Sequence, residues 1–418
     1  MSLNANSSTG NKPPFISTFT AAPHRMMFFA GAIQILLPLS IWLLELIARH
    51  TGFLSTLEIL IPTTWAHAFI MLYGVVIFFI FGFLMTTYPR WMNGTLISKE
   101  LYTGCFIWTS LGIILFEAGL FLNGTLLITG LIMFIFGWIQ GLYALLMVYR
   151  KAPAEDKSYE QILNFSLTAG IAGCLSFLTW IYTDNWLYVQ YSFDIGIWLF
   201  LLPIVITVCH RMIPFFSSCV IDNYSIYQPK WSLYAMITAC FVHFLLKTAQ
   251  LPQWFFISDL PLAMLAFFHS FKWRLISSLN IRLLTILHIA FLWLGIGASL
   301  YSVQSLFLLF NDELILGQAP LHSLTIGFIS ATLIAMATRV SLGHSGRALE
   351  ANNYVMTIFI GIETAAFLRI LADTNFMNEV MGIHMNLVAA IVWITCMLLW
   401  VIKFAPVYLS PRVDGKAG

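Results

Sequence analysis

The sequence predicts an all-α, polytopic integral membrane protein with about twelve transmembrane helices in one bundle and both termini on the cytoplasmic side. Three observations carry this prediction. Of 418 residues, 60% are hydrophobic and only 9% are charged, against roughly 25% charged in a soluble globular chain. A span takes about 20 apolar residues plus a short connection, so this length accommodates about twelve and leaves no room for a sizeable extramembrane domain. Lys and Arg sort by loop, with 17 on the N-terminal side of the spans and 3 (Arg49, Lys247, Arg369) opposite, the asymmetry that marks cytoplasmic loops. A soluble enzyme is excluded, and a net charge of +2 gives no basis for nucleic-acid binding.

Residues 1–25, rich in Ser, Asn, Thr and Pro, read as a disordered cytoplasmic tail rather than a secretory signal, because the first apolar run starts late and is long enough to span. Apolar runs then place spans 1 to 12 at 26–48, 65–88, 101–122, 125–148, 161–183, 193–216, 231–249, 254–271, 283–310, 315–338, 353–372 and 380–404. The bundle is therefore 26–404 and the cytoplasmic C-terminal tail 405–418. Span 8, interrupted by Asp259 and Pro261, is the weakest; without it every later orientation would invert. No internal repeat stands out. The six cysteines occur singly, without Cys-x-x-Cys or Cys-x-x-Cys-His, which argues against a disulfide framework, a zinc ribbon or c-type haem. Tryptophans and tyrosines gather near span ends as an aromatic belt.

Ten histidines are the informative feature, since ionisable groups at membrane depth are costly and point to function by default. They fall into two layers. His67, His243, His322 and His384 lie toward the outer ends of spans, with His50 in the first outer loop; His24, His210, His269, His288 and His344 lie toward the cytoplasmic ends. Two layers of imidazole between helices are how a bundle holds b-type haem, one or two in number. His67 and His322 are the best-matched pair in depth. On the His67 face, Gly74 and Gly82 leave room for a flat macrocycle, while His288 heads a small, polar face with Gly295, Ser299 and Ser302 that equally suits close helix contact. Each histidine also has a plain structural alternative, an imidazole bonded to a backbone carbonyl, and His50 and His269, beside polar loops, fit that alternative best. Arg25, Arg211, Arg339 and Arg347 stand near the cytoplasmic histidines, where they either grip haem propionates or enforce topology. Glu45, Glu117, Asp259 and Glu363 are too dispersed to read as a relay.

Certain stretches carry a family resemblance. His322-Ser-Leu-Thr-Ile-Gly327, continuing through Ala335-Met-Ala-Thr-Arg-Val-Ser-Leu-Gly-His-Ser-Gly-Arg347, resembles the most characteristic segment of the NnrS family of bacterial membrane proteins. His67-Ala-Phe-Ile-Met-Leu-Tyr-Gly74, Gly82-Phe-Leu-Met-Thr-Thr-Tyr-Pro-Arg-Trp91, Arg211-Met-Ile-Pro-Phe-Phe216, Leu287-His-Ile-Ala-Phe-Leu-Trp293 and the tail from Phe404 to Gly415 match in order. The resemblance implies a twelve-span inner-membrane protein that carries haem and copper and belongs to the nitric oxide response of denitrifying or nitrosatively stressed bacteria. By position, His67 corresponds to the first histidine of the family's His-Ala-His-Glu segment; His288, His322 and His344 lie in matching motifs, with His24 and His210 beside them. Phe69 and Ile70 stand where the second histidine and the glutamate would be, which weighs against copper in this layer and leaves a haem ligand at His67.

Three functions follow as expectations. One is a haem protein that binds or turns over nitric oxide or a related diatomic, which reaches a buried iron through lipid. Another is a two-haem redox protein moving electrons across the membrane from quinol or another donor. The last is a proton-coupled transporter whose histidines titrate during alternating access.

Overall fold

A computed structural model describes residues 15–374, 379, 380 and 383–415; the predicted tail at 1–14 lies outside the described residues. Residues 15–25 carry a short helix, Phe15–Phe19, and the start of the first span. Twelve helices are long and apolar enough to cross a membrane: Pro23–Thr51, Thr63–Trp91, Lys99–Leu122, Gly124–Lys151, Ser158–Thr183, Trp186–Ser218, Lys230–Thr248, Pro252–Lys272, Arg282–Asn311, Ala319–His344, Asn353–Ala372 and Met385–Leu409. We number them spans 1 to 12. In lipid each backbone N–H and C=O must find its partner inside the segment, which selects helix throughout. Asn123, Asn185 and Asn352 cap spans 4, 6 and 11 by accepting from the backbone N–H of Leu126, Leu187 and Val355.

Span 8 crosses. It opens with a 3₁₀ turn, Pro252–Trp254, and its Asp259, the charge that made it doubtful, is bonded to His243 of span 7. Span 10 runs six residues further than expected, to His344, because the polar stretch from Thr338 is enclosed by other helices and not by lipid. Before span 12 stands a two-residue antiparallel ladder, Glu379 opposite His384, and His384 stacks on His50 at 4.0 Å. Arg25 Nη2 donates to the Ser410 carbonyl at 2.5 Å, so the start of the first span and the end of the last come together on one face, called here the terminal face.

The helices close a ring. Span 1 packs on span 2 and span 12, span 5 on spans 4 and 6, and span 9 on spans 8 and 10. Spans 2 and 6 are the most enclosed, followed by 9 and 10, while spans 1, 3, 5, 7, 8, 11 and 12 give a large share of their surface to lipid. Spans 2, 6 and 10, four apart along the chain, each contain a π-helical segment: Ile70–Val75, Ile195–Leu201 and Ser323–Ser330. All three lie in the half of the bundle away from the terminal face. Such segments bend the hydrogen-bond ladder and gather at functional sites. Spans 3 and 4 approach most closely; a Cβ at Gly112 would sit 2.3 Å from the Phe134 nitrogen, and one at Gly130 2.2 Å from that of Phe116.

Candidate functional site

Away from the terminal face, His67 and His322 occupy the same layer, as their positions in the sequence predict. His67 sits just before the π segment of span 2, its ring stacked on Trp42 of span 1 at 4.2 Å and 12°. Its Nδ1 is buried and has no partner. His322 precedes the π segment of span 10, and its Nδ1 donates to the Gln318 carbonyl at 3.0 Å, which leaves Nε2 as the basic nitrogen. Arg369 pairs with Asp373 at 2.5 Å, and the same carboxylate oxygen lies 3.9 Å from His322 Nδ1. Both imidazoles lie within electrostatic reach of Arg369, and His322 within reach of His67.

The glycine slot expected beside His67 is filled. A Cβ at Gly74 would meet Ile113 at 2.7 Å and one at Gly82 would meet Phe28 at 2.6 Å, so these glycines serve close helix packing. Gly295, on the His288 face, is likewise covered by Phe267 of span 8.

At the terminal face, His24 opens span 1 and His344 closes span 10, with ring centroids 4.6 Å apart. The Thr86 hydroxyl lies 3.4 Å from His24 Nδ1. Cations crowd this pair. Arg25 Nη1 donates to the Thr18 carbonyl at 2.8 Å, Arg412 Nη1 donates to the His344 carbonyl at 3.0 Å, and Arg347 lies within electrostatic reach of Arg25 with a buried, unpartnered Nη1. This concentration of guanidinium groups suits an anion or a pair of carboxylates.

The remaining predicted residues go elsewhere. His210 Nδ1 lies 2.9 Å from the Tyr159 hydroxyl, and its other nitrogen shares the Ser232 hydroxyl with His269, at 3.3 and 2.8 Å. Arg211 binds Glu160 at 2.9 Å and lies over Trp91. His288 Nε2 lies 3.1 Å from the Ser217 hydroxyl, and Arg339 stacks 3.8 Å over Phe216. The five terminal-face histidines therefore divide among three places, His24 with His344, His210 with His269, and His288 apart. They do not form one site.

Sequence reasoning missed two features. His269, read as an imidazole beside a polar loop, is fully buried with a hydroxyl partner. The other is a buried pair, His243 with Asp259 at 2.8 Å. A usable signal was present in the three outer basic residues: Arg49 pairs with Glu45 at 2.7 Å, Lys247 with Asp194 at 2.9 Å and Arg369 with Asp373. Exceptions to the loop-charge rule are here partners of buried or half-buried acids. The other intramembrane carboxyls are structural acceptors, Glu117 for the Gln34 amide and Glu363 for the Trp293 indole.

Among the described residues no group of three or more His, Cys, Asp or Glu converges on one point, and two imidazoles alone fall short of the donor set that copper takes in proteins. Haem asks less, one or two neutral imidazoles in an apolar layer. His67, with an orphaned buried nitrogen, and His322, with its tautomer fixed by a carbonyl, fit that demand. The His24–His344 rings stand too close to sandwich a macrocycle. A family model described as NnrS protein matches residues 18–412, nearly the whole chain. No curated protein matches it.

Proposed function

From the premise that this chain belongs to the NnrS family of membrane proteins, associated with the response to nitric oxide, we propose that it is a haem b-binding protein of the bacterial inner membrane that binds or turns over nitric oxide or a related diatomic. The observation that carries the reading is the placement of His67 and His322 in one half-buried layer, each just ahead of a π segment. Haem held there by His67 or His322 would supply an iron able to bind the diatomic. The protein's own residues do the rest. Trp42 holds the plane of the His67 ring, Gln318 holds the His322 tautomer, and Arg49 and Arg369, each paired with a carboxylate, lie within electrostatic reach of His67. An apolar diatomic needs no aqueous channel to reach this depth, since the surrounding helices are lipid-facing.

The second layer favours a companion reading, a redox protein drawing electrons from quinol or another donor through a further cofactor at the terminal face. Its support is the His24–His344 contact within electrostatic reach of Arg25, Arg90 and Arg412. Absorption spectra of the purified protein, oxidised and reduced, with pyridine haemochrome quantitation, test both. One haem per chain that binds nitric oxide is expected from the first reading, and from the second a further haem held by one of His24 and His344 and not between them; a colourless, folded preparation from haem-sufficient cells overturns them together.

A further inference from the structure

We propose that His243 and Asp259 form a buried proton-binding site, reached from the face opposite the termini past the Lys247–Asp194 pair.

The geometry begins with two helical stripes. Lys247 and His243 are four residues apart in span 7 and share a face; Asp194 and Trp198 bear the same relation in span 6. The stripes meet in two rungs. Lys247 Nζ lies 2.9 Å from Asp194 Oδ1, and one turn deeper the His243 ring stacks on Trp198 at 3.4 Å and 17°. Span 8 supplies the third side, where both Asp259 oxygens lie 2.8 and 3.0 Å from His243 Nδ1 and the Ser258 hydroxyl donates to the carboxylate at 3.1 Å. Tyr301 of span 9 closes the fourth, edge-on at 5.1 Å. The groups facing His243 that carry or exchange charge are thus Asp259, Asp194, Lys247 and Tyr301, with the Cys240 thiol near Asp259.

The chemistry follows from what is bonded and what is not. His243 and Asp259 have no exposed side-chain surface, so the imidazole Nδ1–H is committed to the carboxylate and Nε2 is the basic nitrogen. That Nε2 is buried without a partner, as are Asp194 Oδ2, Trp198 Nε1 and the Ser192 hydroxyl. Buried groups in packed helices are almost always satisfied, and a cluster of orphans is where ordered water resides. Lys247, whose side chain is 31% exposed, marks the way in. A proton leaving water at that face passes the Asp194 carboxylate, crosses bridging water and joins the Nε2 lone pair; the Nδ1–H bond to Asp259 stays, and its negative charge balances the imidazolium. Release retraces the path, with no change of oxidation state. Intramembrane ionisable residues that pair in this way mark proton routes in other bundles.

Trp198 reports directly, because a protonated imidazole stacked on an indole quenches its fluorescence. In liposomes carrying the full chain, the component that differs between wild type and Trp198→Phe should dim as pH falls from about 9 to 5, across the ordinary histidine range. In Asp259→Asn the transition should move to lower pH, a loss of at least tenfold in proton affinity. A pH jump confined to the side opposite the termini should elicit the response, and Asp194→Asn should slow it at least tenfold. Infrared pH-difference spectra of wild type against Asp259→Asn give a readout free of Trp198, should Trp198→Phe not accumulate. A Trp198 component and a carboxyl band that are both flat with pH, or a transition unmoved in Asp259→Asn, overturn the site; a response that follows only the terminal side overturns the route.

Discussion

The rings of His24 and His344 lie 4.6 Å apart, although one opens the first span and the other closes the tenth. Ring closure of the bundle creates this contact, and Arg25, Arg90 and Arg412 lie within electrostatic reach of it. If the two imidazoles serve one ligand, His24→Ala and His344→Ala should abolish the same bound species, and the double variant should be no worse than either single one. Stoichiometry of haem, metal and anion per chain checks this; independent, additive losses would separate the two residues.

At the other layer, His67→Ala and His322→Ala should each lower haem content or turn a low-spin spectrum high-spin, with the protein still in the membrane. Gln318 acts on His322 through its backbone carbonyl, so Gln318→Ala should leave the spectrum intact. Unchanged haem in both histidine variants would return these residues to a structural role.

Topology gives a separate expectation. Both termini should be cytoplasmic, with the loop around residues 52–62 outside, as judged by reporter fusions. Replacing Arg49, Lys247 and Arg369 should not invert the chain, because their partners are acids and not the membrane surface. Arg49→Met alone should cost about 1–2 kcal/mol, less than a fully buried pair because Arg49 is partly exposed, and Arg49→Met with Glu45→Gln should recover most of it in a thermal unfolding assay.

Spans 3 and 4 offer a packing test. Gly112→Ala and Gly130→Ala should each destabilise by roughly 1–3 kcal/mol, the usual cost of overpacking, because backbone nitrogen occupies the space a methyl group needs. Gly124→Ala, at the mouth of the same helix, meets nothing within 4 Å and should be near neutral.

Much of this was legible in the sequence. Twelve apolar runs and the loop charges were enough to place every span, including the eighth, and depth alone paired His67 with His322. Other features could not be read. Helices surrounded by lipid and by one another are apolar on all sides, so periodicity could not say which faces meet, and the ring that brings His24 to His344 left no trace in local pattern. The recurrence of π segments in every fourth span was equally silent, since the residues just ahead of them are Phe69, Asp194 and His322. Glycines misled, because Gly74 and Gly82 leave space that Ile113 and Phe28 fill.

The π segments also tie the two faces of the protein to each other. A wider turn takes up one residue more than an α turn, so in span 2 the angular offset between His67 at one end and Thr86, beside His24, at the other depends on Ile70–Val75 keeping its length. The same stretch relaxed to α geometry with no residue removed would swing everything beyond it by about 100°. The two layers are thereby set like the bits of one key, cut at opposite ends of a shared shaft.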